Sequence, residues 1–534
     1  MRHLLVLLAG SACLAGQAPT WEALEARGAR IARVEVRVLA VFDPAVPAES
    51  TWVGRTANAL HVDTRPSVVR QFLTFGEGSA VEVRRIRESE RELRASRFLK
   101  DARIEPEVAE DGAVTAQVTV RDAWTLKASV GFSQVGGQQR WGFSLRDQNI
   151  AGTGKDLIYL YDRGPERTTQ TLRYGDRHLF GSRWQLQASY QHLSDGRSWS
   201  AGLARPFTSL DTPWAVEAGA SAIRSTLLVH DREAQVYTAP SVLRQAQLGA
   251  AVRAQLEGDT VLRVGLRLES RQADYGPLTA QADPGRLAPP DLRPRDLRGA
   301  ALTFEWLEDR FAEFRNIQGT DFVEDHNLGW RGRVALGRYD RSLGSRQEGL
   351  FARGDLSKGW LTEGRTLVLL QAGATGRDGV GAPQDQRASL AVATYTGLSS
   401  RQALATWVAL DAAHDPDPEQ PLYLGGEDGL RGYPNFLHLG DRRWLASVED
   451  RILLDQRWLG ILRLGFVLYA DAGAIRRRDG SGWTRTYANV GGGFRFGDLK
   501  SSLGKVVLLT VAFPLVREPG LDRYQLVVGN VVHF

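Results

Sequence analysis

The stretch "LYLGGEDGLRGYPNF", residues 422–436, places a single arginine, Arg431, among four glycines. Gly425, Gly426, Gly429 and Gly432 disfavour both helix and strand, because glycine loses more backbone entropy on ordering than other residues and has no side chain to pack. The stretch is therefore predicted to be a loop. By itself it leaves open whether Arg431 is solvated on a surface turn or has a structural role.

Period-two alternation surrounds this loop and extends from about Asp122 to Phe534. In "WQLQASYQ", residues 184–191, apolar or aromatic side chains alternate with polar ones, which is typical of a strand with two unlike faces. The same pattern recurs in "LRVGLRLE", residues 262–269, and in "LRLGFVLYADAG", residues 462–473. In the last of these, Tyr469, Asp471 and Gly473 share the face opposite the leucines.

Two all-β folds are consistent with this alternation, a soluble sandwich and a membrane barrel. A sandwich turns its apolar face inward, whereas a membrane barrel turns it towards lipid and keeps charges and glycines around a wet lumen. Strands of about ten residues, turn clusters such as 479–482, and Trp or Tyr near strand ends favour the barrel. The expected fold is therefore a transmembrane antiparallel β-barrel over residues 122–534.

The last strand, "RYQLVVGNVVHF", supports this expectation. Apolar and aromatic residues, together with Gly529, give it the character of the C-terminal signal of bacterial outer-membrane barrels, with Tyr524, Val532 and the terminal Phe534 on one face. Val527 departs from the pattern, because a polar residue usually stands at that position.

Residues 1–18 have the features of a secretory signal peptide. Arg2 and His3 precede the apolar run 4–9, and small residues follow, with cleavage expected after Ala15 or Ala18. The single cysteine, Cys13, lies in this segment, so the mature protein is expected to lack disulfides and thiolate chemistry. Residues 19–30 form a short segment before the first domain.

Residues 31–121 have a different pattern and predict a small α+β domain. A strand over 31–39, a loop with prolines, two helical pieces and two further strands are expected in that order, with Asp111 and Gly112 in a hairpin turn. The second helix has Ile86 and Leu93 on an apolar side and Arg84 and Glu88 on a solvated side.

Composition and motifs argue against several classes of function. The net charge of +5 is a small difference between 67 basic and 62 acidic groups without blocks of like charge, so no nucleic-acid partner is indicated. Signatures of zinc peptidases, serine hydrolases and phosphate-binding loops are absent, and "GGGFRFG", residues 491–497, is interpreted as a strand. We therefore expect no enzyme activity, no cofactor and no metal site.

The loop resembles the (V/L)-R-G-(F/Y) motif of the BamA, TamA and FhaC superfamily of outer-membrane barrels, also called the bacterial surface antigen family. The resemblance implies that the sixth extracellular loop folds back into the lumen, where its arginine meets the aspartate of an aromatic-x-Asp-x-Gly strand motif. In this sequence "YADAG" supplies that motif, with Asp471 on the lumen face, and the alternation of Ser447, Glu449 and Arg451 on the strand before it offers Glu449 as a second acceptor. The expected anchor residues are thus Gly425, Gly426, Leu430, Arg431, Gly432 and Tyr433, with Tyr469, Asp471, Gly473 and Glu449 as partners.

Two further stretches extend the resemblance. Residues 31–121 look like a single POTRA domain, the periplasmic module of this superfamily, and "LRDQNIAGTGKDL", residues 145–157, is similar to the hairpin between its second and third strands. The family has 16 strands, which implies about that number here. The pattern between Trp124 and His414 could hold fifteen strands before the loop, where the family has eleven, so either some segments are long hairpin loops or the barrel is larger.

The resemblance implies a protein of the bacterial outer membrane with its N-terminal domain in the periplasm. The expected function is an assembly or translocation factor of the BamA/TamA type, which takes client strands at the POTRA edge and at the seam between the first and last strands. Its partners would be the lipid bilayer and unfolded or extended clients, with periplasmic chaperones or accessory lipoproteins as further candidates. Two alternatives stay open, a two-partner secretion transporter of one exported protein and a passive pore or structural protein.

Overall fold

The computed structural model describes residues 19–529, apart from 48, 97, 284–286, 318, 321–322, 363–364, 379–382, 459–460 and 500–505. The expected signal peptide, Val532 and Phe534 therefore lie outside the described residues. None of the described helices has the length and apolar character that a membrane crossing requires.

The N-terminal part folds as a three-stranded sheet with helices on one face. Its elements in order are α1 (Trp21–Ala26), β1 (Ile31–Leu39), α2 (Trp52–Leu60), α3 (Pro66–Gln71), α4 (Val83–Arg94), β2 (Leu99–Val108) and β3 (Val114–Asp122). β3 lies in the centre, parallel to β1 and antiparallel to β2. Every second residue of β3 is buried, beginning at Val114, so one face of the sheet packs against the helices.

Three helices separate β1 from β2, where the sequence predicted two. The predicted apolar side of the second helix is the side of α4 that carries Ile86 and Leu93 into the core. The prediction that Glu88 is solvated is wrong, because Glu88 is buried against the barrel and accepts a hydrogen bond from the Leu210 N–H at 3.1 Å. The first predicted helix had no stated bounds, so either α2 or α3 is the additional one; Thr51 caps α2 by accepting a hydrogen bond from the Gly54 N–H at 3.3 Å. The turn between β2 and β3 contains Gly112 with φ of +84°, as glycine permits.

The rest of the chain contains a closed antiparallel barrel and one separate hairpin. Its strands are β4 (Leu126–Val135), β5 (Gln138–Asp147), β6 (Lys155–Arg163), β7 (Thr168–Asp176), β8 (Gln185–Leu193), β9 (Gly196–Arg205), β10 (Trp214–Asp231), β11 (Ala234–Glu257), β12 (Thr260–Tyr275), β13 (Thr279–Ala280), β14 (Arg295–Glu308), β15 (Phe311–Arg315), β16 (Val323–Asn327), β17 (Arg331–Tyr339), β18 (Gly349–Thr362), β19 (Thr366–Asp378), β20 (Pro383–Gly397), β21 (Gln402–His414), β22 (Leu422–Leu424), β23 (His438–Trp458), β24 (Leu462–Arg477), β25 (Gly482–Trp483), β26 (Tyr487–Asp498), β27 (Val506–Pro514) and β28 (Gln525–Gly529). β15 and β16 pair only with each other, as a separate hairpin.

The expected number of about 16 strands is too low, because the barrel has 20. The short segments β13, β22 and β25 pair as extensions at the ends of longer strands and are not counted. Tight connections explain the excess: Arg232 and Glu233 alone link β10 to β11, both with positive φ, so this region adds a strand rather than a long loop. Fifteen strands precede the arginine loop and five follow it.

The barrel wall has two unlike faces, as the alternation predicted. On β24, Phe466 and Leu468 face outward with 36% and 58% exposure, whereas Tyr469 and Asp471 face the lumen with 5% and 2%. Large apolar side chains are also exposed outward on other strands, among them Phe143, Leu248, Leu302, Leu336 and Val408.

The N-terminal sheet and helices dock against one end of the barrel, which we call the domain end; the opposite end is the far end. Arg84 forms an ion pair of 2.8 Å with Asp211 in the β9–β10 connection. Asn149, in the β5–β6 connection, donates its side-chain N–H to the Thr64 hydroxyl at 2.7 Å, and Thr64 in turn donates to Asp122 at 2.6 Å. Asp122, with no exposed surface, thus ties the two parts together.

Candidate functional site

The loop that contains Arg431 connects β21 to β23 at the far end and folds back into the lumen. Its first part pairs with β23 through β22, where Tyr423 lies opposite Leu439. Residues 424–433 then run along the inner wall, and Leu430, Arg431 and Tyr433 are at most 1% exposed. The connection is the eighth at the far end rather than the sixth, because the barrel has four more strands than expected.

Arg431 lies against three acceptors on two neighbouring strands. Its Nε and Nη2 donate to the two carboxylate oxygens of Asp471 on β24, at 2.9 and 2.6 Å. Nη1 donates to Glu449 Oε1 on β23 at 2.6 Å, and Nη2 also reaches the Ser447 hydroxyl at 3.1 Å. The fork geometry of the guanidinium therefore matches Asp471 with two bonds and leaves a third for Glu449.

The partners of Arg431 are themselves held in place. Ser447 donates to Asp471 Oδ1 at 2.7 Å, and the Asn489 amide donates to Oδ2 at 2.8 Å. The ring of Tyr469 lies under the guanidinium, with 3.5 Å between its centroid and Arg431 Cζ, and the Tyr469 hydroxyl is 3.0 Å from Thr510 Oγ1. Each carboxylate thus has a charged partner, as burial of an ion pair requires.

Close approach to the wall explains two of the glycines. A Cβ at Gly432 would lie 2.6 Å from the Cβ of Asn489, and a Cβ at Gly426 would lie 2.8 Å from the Cα of Gly136 in the β4–β5 turn. Either contact would force the backbone away from the wall. The Gly425 carbonyl accepts a hydrogen bond from the Leu430 N–H at 3.0 Å, within the loop. Gly473 lies beside Leu445 on the lumen face of β24.

Apolar and aromatic contacts hold the loop on either side of Arg431. Leu430 belongs to a buried cluster with Leu424, Leu437, Leu445, Ile475 and Tyr487. The Tyr433 hydroxyl donates to the Ala488 carbonyl at 2.7 Å and accepts from the Val516 N–H at 3.2 Å. Tyr433 is thus attached to the β27 side of the barrel.

Beyond Tyr433 the loop crosses to the other side of the junction between the last and first strands. The Asn435 N–H donates to the Gly136 carbonyl, in the β4–β5 turn, at 3.1 Å. The ring of Phe436 stacks on His230 of β10 with centroids 4.3 Å apart. The loop therefore bridges the far end of this junction.

A second segment enters the lumen from the domain end, and it was not predicted from the sequence. It is the β15–β16 hairpin, which leaves the wall between β14 and β17. Arg451 on β23 donates to the Ile317 carbonyl at 2.7 Å, and a Cβ at Gly497 on β26 would lie 2.2 Å from the Thr320 hydroxyl. Because β26 is far around the barrel from β17, the hairpin crosses the lumen.

The hairpin and the arginine loop meet through one carboxylate. Glu449 accepts from Arg431 through Oε1 and from Arg451 Nε through Oε2 at 2.8 Å. Arg451 holds the hairpin turn at the same time. Two arginines and two carboxylates, Asp471 and Glu449, thus form a charge-balanced cluster between the two inserted segments.

The base of the hairpin contacts the N-terminal part of the chain. Arg91 pairs with Asp309 at 2.7 Å, Arg94 with Asp325 at 2.8 Å, and Arg103 with Glu313 at 3.2 Å. Arg94 is 4% exposed in its side chain, so this contact is desolvated. The hairpin is therefore held by both parts of the protein.

The predicted C-terminal residues lie at the junction of the first and last strands. Tyr524 precedes β28 and is 60% exposed, and Gly529 ends the described part of β28 beside Ser133 of β4. Within the described residues, β28 and β4 share one ladder pair, Val528 opposite Gln134. We call this junction the seam.

Ser447, Asn489, Asn435 and the hairpin were not among the predicted site residues. Period-two alternation placed Ser447 on the lumen face beside Glu449, and the same alternation on β26 is a signal for Asn489. No sequence signal marks the hairpin as part of the site, because its contacts join positions more than 130 residues apart.

Comparisons with known proteins give weak likenesses. No family model and no curated protein matches the chain. Among solved structures, the chain is similar to BamA from Haemophilus ducreyi lacking POTRA domains 1–3, with a TM-score of 0.41, 12% identity, and coverage of 93% of this chain and 84% of that one. It is also similar to CdiB from Escherichia coli, with a TM-score of 0.46, 13% identity, and coverage of 93% and 75%. CdiB from Acinetobacter baumannii gives a TM-score of 0.40, 11% identity, and coverage of 94% and 73%. TM-scores this low do not assign the chain to a family.

Proposed function

We propose that the protein is an outer-membrane assembly factor of the BamA/TamA type, which inserts or translocates client proteins without a cofactor and without enzymatic chemistry. In this proposal the N-terminal sheet and helices are a single POTRA-like periplasmic domain, and residues 122–529 form the described part of the membrane barrel. The loop anchor consists of Arg431, Asp471 and Glu449.

The outer surface of the barrel supports a membrane location. Leucine, valine and phenylalanine side chains are exposed around the wall, which would be unfavourable in water over so large an area. Trp199 and Tyr190 lie near the far end of their strands, and Trp214 and Trp360 near the domain end, all facing outward. Aromatic side chains in two such bands are typical of the two membrane interfaces.

The observation that carries the proposal is the occupation of the lumen from both ends. The arginine loop enters from the far end, the β15–β16 hairpin enters from the domain end, and Glu449 connects them through Arg431 and Arg451. A passive pore or a transporter that threads its substrate through the lumen would first have to displace buried ion pairs. A route through the wall needs no such displacement, which favours insertion over secretion.

The seam provides a route through the wall. β28 and β4 pair there with Val528 opposite Gln134, and they are the last and first wall strands along the chain, so no hairpin turn ties them to each other. An opened seam offers two strand edges, and a client strand that pairs with them keeps its backbone groups bonded in lipid. Asn435 and Tyr433 hold opposite sides of this seam, so the anchored loop limits how far it opens.

The N-terminal sheet offers one open edge for a client. On β2, the Ile104 N–H and C=O are bonded by Glu90 and Trp21, which blocks that edge. On β1, Val34 is bonded by Glu77 and Arg70, whereas no bond to the edge-side backbone groups of Val36 and Val38 is found among the described residues. We therefore assign client capture to the β1 edge.

A disulfide across the seam tests the proposal. Gln134→Cys with Val528→Cys places two thiols on directly opposed residues, which is compatible with disulfide geometry. Oxidation should stop the assembly of client barrels in reconstituted vesicles, and reduction should restore it. Leu186→Cys with Leu203→Cys is the matched control, because this pair joins β8 to β9 within one hairpin and need not separate.

Full assembly by the oxidised seam variant would rule out the wall route. Proteomics of outer membranes and culture medium after depletion of the protein separates the remaining functions. A fall in many barrel proteins is expected; loss of one secreted protein would indicate dedicated secretion, and no change would indicate a passive or structural role.

A further inference from the structure

Arginines cluster on the outward face of the barrel at the far end. Arg197 on β9, Arg224 on β10 and Arg244 on β11 occupy outward positions of three consecutive strands. Their direction follows from the alternation, since Arg197 shares its face with Trp199 and Leu203, and Arg224 shares its face with Trp214, all of them exposed. These guanidiniums therefore lie outside the barrel, not in its lumen.

The register brings the three side chains together. Arg224 lies directly opposite Arg197, and Arg244 lies opposite Ala222, one outward position below Arg224. Directly opposed residues on antiparallel strands have Cβ atoms about 5 Å apart, and diagonal neighbours are within reach of long side chains. The three arginines thus surround the small side chain of Ala222.

Only one of the three arginine charges in this cluster is paired with a carboxylate of the described residues. Arg244 pairs with Asp274 at 3.1 Å. In the described part of the chain, neither Arg197 nor Arg224 has a carboxylate within ion-pair distance, although like charges directly opposite each other destabilise a strand pair. Arg338 also faces outward at the far end, but it does have an acidic partner, Asp340, at 3.1 Å.

The cluster lies just above an aromatic pair. Trp199 is opposite Ala222 on one side and opposite Tyr190 on the other, and both aromatic side chains are exposed outward. Because Trp and Tyr prefer the level of the lipid headgroups, the arginines would stand at that level in the leaflet furthest from the N-terminal domain. This placement rests on the membrane location proposed above.

We propose that Arg197, Arg224 and Arg244 bind the phosphate of a membrane lipid whose headgroup carries a phosphate monoester. A phosphate monoester offers the negative charge that the opposed arginines lack, and guanidiniums bind phosphate oxygens through paired N–H donors. The acyl chains of such a lipid would lie along the apolar wall below, past Trp199 and Leu203. A soluble anion lacks this second contact, which is why the site fits a lipid.

Native mass spectrometry of the full chain in detergent tests this site, with phosphatidate as the probe. Dioleoyl phosphatidate should remain bound, whereas dioleoyl glycerol, which has the same acyl chains and no phosphate, should not. The double variant Arg197→Gln, Arg224→Gln should retain phosphatidate at least tenfold less well, because each arginine supplies a charge-assisted bond. Arg338→Gln is the matched control, as an outward arginine at the same end with its own acidic partner.

Three results would overturn the proposal: equal retention of phosphatidate and dioleoyl glycerol, equal retention by the double variant and the wild type, or full displacement of phosphatidate by millimolar inorganic phosphate. The last would identify a general anion site. Band mobility on unheated gels verifies that each variant is folded, and the single substitutions replace the double variant if it is not. Client assembly is measured separately, so failure of the lipid site and failure of the assembly proposal remain distinguishable.

Discussion

At the scale of single residues, Arg431 is a fully buried cation whose five N–H donors are largely used by named acceptors. Asp471 takes two bonds, Glu449 one, and Tyr469 covers the face of the guanidinium. While the ion pair is intact, the loss of hydration of both charges offsets much of their attraction, so the pair adds little net stability. Removal of one partner is strongly destabilising, because it leaves the other charge buried without compensation.

Arg431→Ala should lower the stability of the folded barrel by about 3–5 kcal/mol, because it leaves Asp471 and Glu449 buried with one cation fewer. Arg431→Lys should recover little of this lost stability, since an ammonium cannot donate to both oxygens of Asp471 as the planar guanidinium does. The measurement is the temperature at which the folded band converts to the unfolded band on gels, with Asp471→Asn and the double variant completing a thermodynamic cycle.

The control for this prediction is Arg333→Ala, which removes a lumen-facing arginine that pairs with Asp355 while both side chains are at least half exposed. An exposed pair of this kind is worth about 0–1 kcal/mol. If Arg431→Ala and Arg333→Ala lowered the stability of the folded barrel equally, the buried cluster would contribute no more to stability than an exposed ion pair.

Docking of the N-terminal part against the barrel should depend on pH through His178. This residue lies in the β7–β8 connection at the domain end, and its ring packs against Phe72 with centroids 4.4 Å apart. Burial, assisted by the charge of Arg177, lowers the pKa of His178 to about 4. The neutral ring is therefore favoured when the two parts are docked.

Docking should weaken as the pH falls from about 6.5, the ordinary pKa of histidine, towards 4. Above that window the stabilising contribution of neutral His178 is fully present. Glu92 faces the same contact, and burial raises its pKa, which acts in the opposite direction. The difference between wild type and His178→Gln in limited proteolysis at the docking contact isolates the histidine; identical pH profiles would contradict the assignment.

At the scale of elements, strand edges decide where another chain can pair. β2 is closed by side chains from α1 and α4, and Pro106 within β2 lacks a backbone donor. β1 is closed near Val34 and open beyond it. Among the described residues, the open edge of the sheet is therefore the part of β1 beyond Val34.

Val36→Pro should abolish capture of extended clients while the N-terminal sheet still forms. Its N–H points to the open edge, as that of Val34 does, so the β1–β3 ladder loses no bond. Photo-crosslinking of an extended client peptide from position 35 measures capture, and Arg37→Ala is the control on the same strand. Undiminished crosslinking in Val36→Pro would place capture elsewhere.

At the scale of the whole molecule, two segments enter the lumen from opposite ends and meet at Glu449, and the hairpin is joined to the N-terminal part. The hairpin contacts Arg91, Arg94 and Arg103 at its base and Arg451 at its turn. Displacement of the N-terminal part would therefore pull on the hairpin and, through Glu449, on the arginine loop.

Replacement of residues 311–327 by a short Gly-Ser linker should increase conductance in planar bilayers, because it removes the segment that crosses the lumen. Asp309→Asn with Asp325→Asn cuts two contacts to the N-terminal part and keeps the hairpin, so brief openings are expected instead of a steady increase. A replaced hairpin that conducts no better than wild type would mean that the arginine loop alone closes the barrel.

The sequence by itself determined the local features of this protein. Alternation assigned Asp471, Glu449 and Ser447 to one face, because side-chain direction in a strand depends only on parity. Four glycines marked the loop around Arg431. The α+β segment before the barrel also followed from local patterns, except that one helix more lies between β1 and β2 than was predicted.

Only the tertiary structure decided the number of strands, the path of the hairpin and the sharing of Glu449 between two arginines. Alternation allowed up to fifteen strands before the arginine loop, but it does not show whether each alternating segment joins the wall or lies in a long hairpin loop. Closure of the barrel placed all fifteen in the wall, for a total of 20. The hairpin contacts join Arg451 to Ile317 across the lumen, between positions 134 residues apart, a distance along the chain over which no periodic pattern carries information. These features arise from closure of the wall, which brings distant strands to face one another.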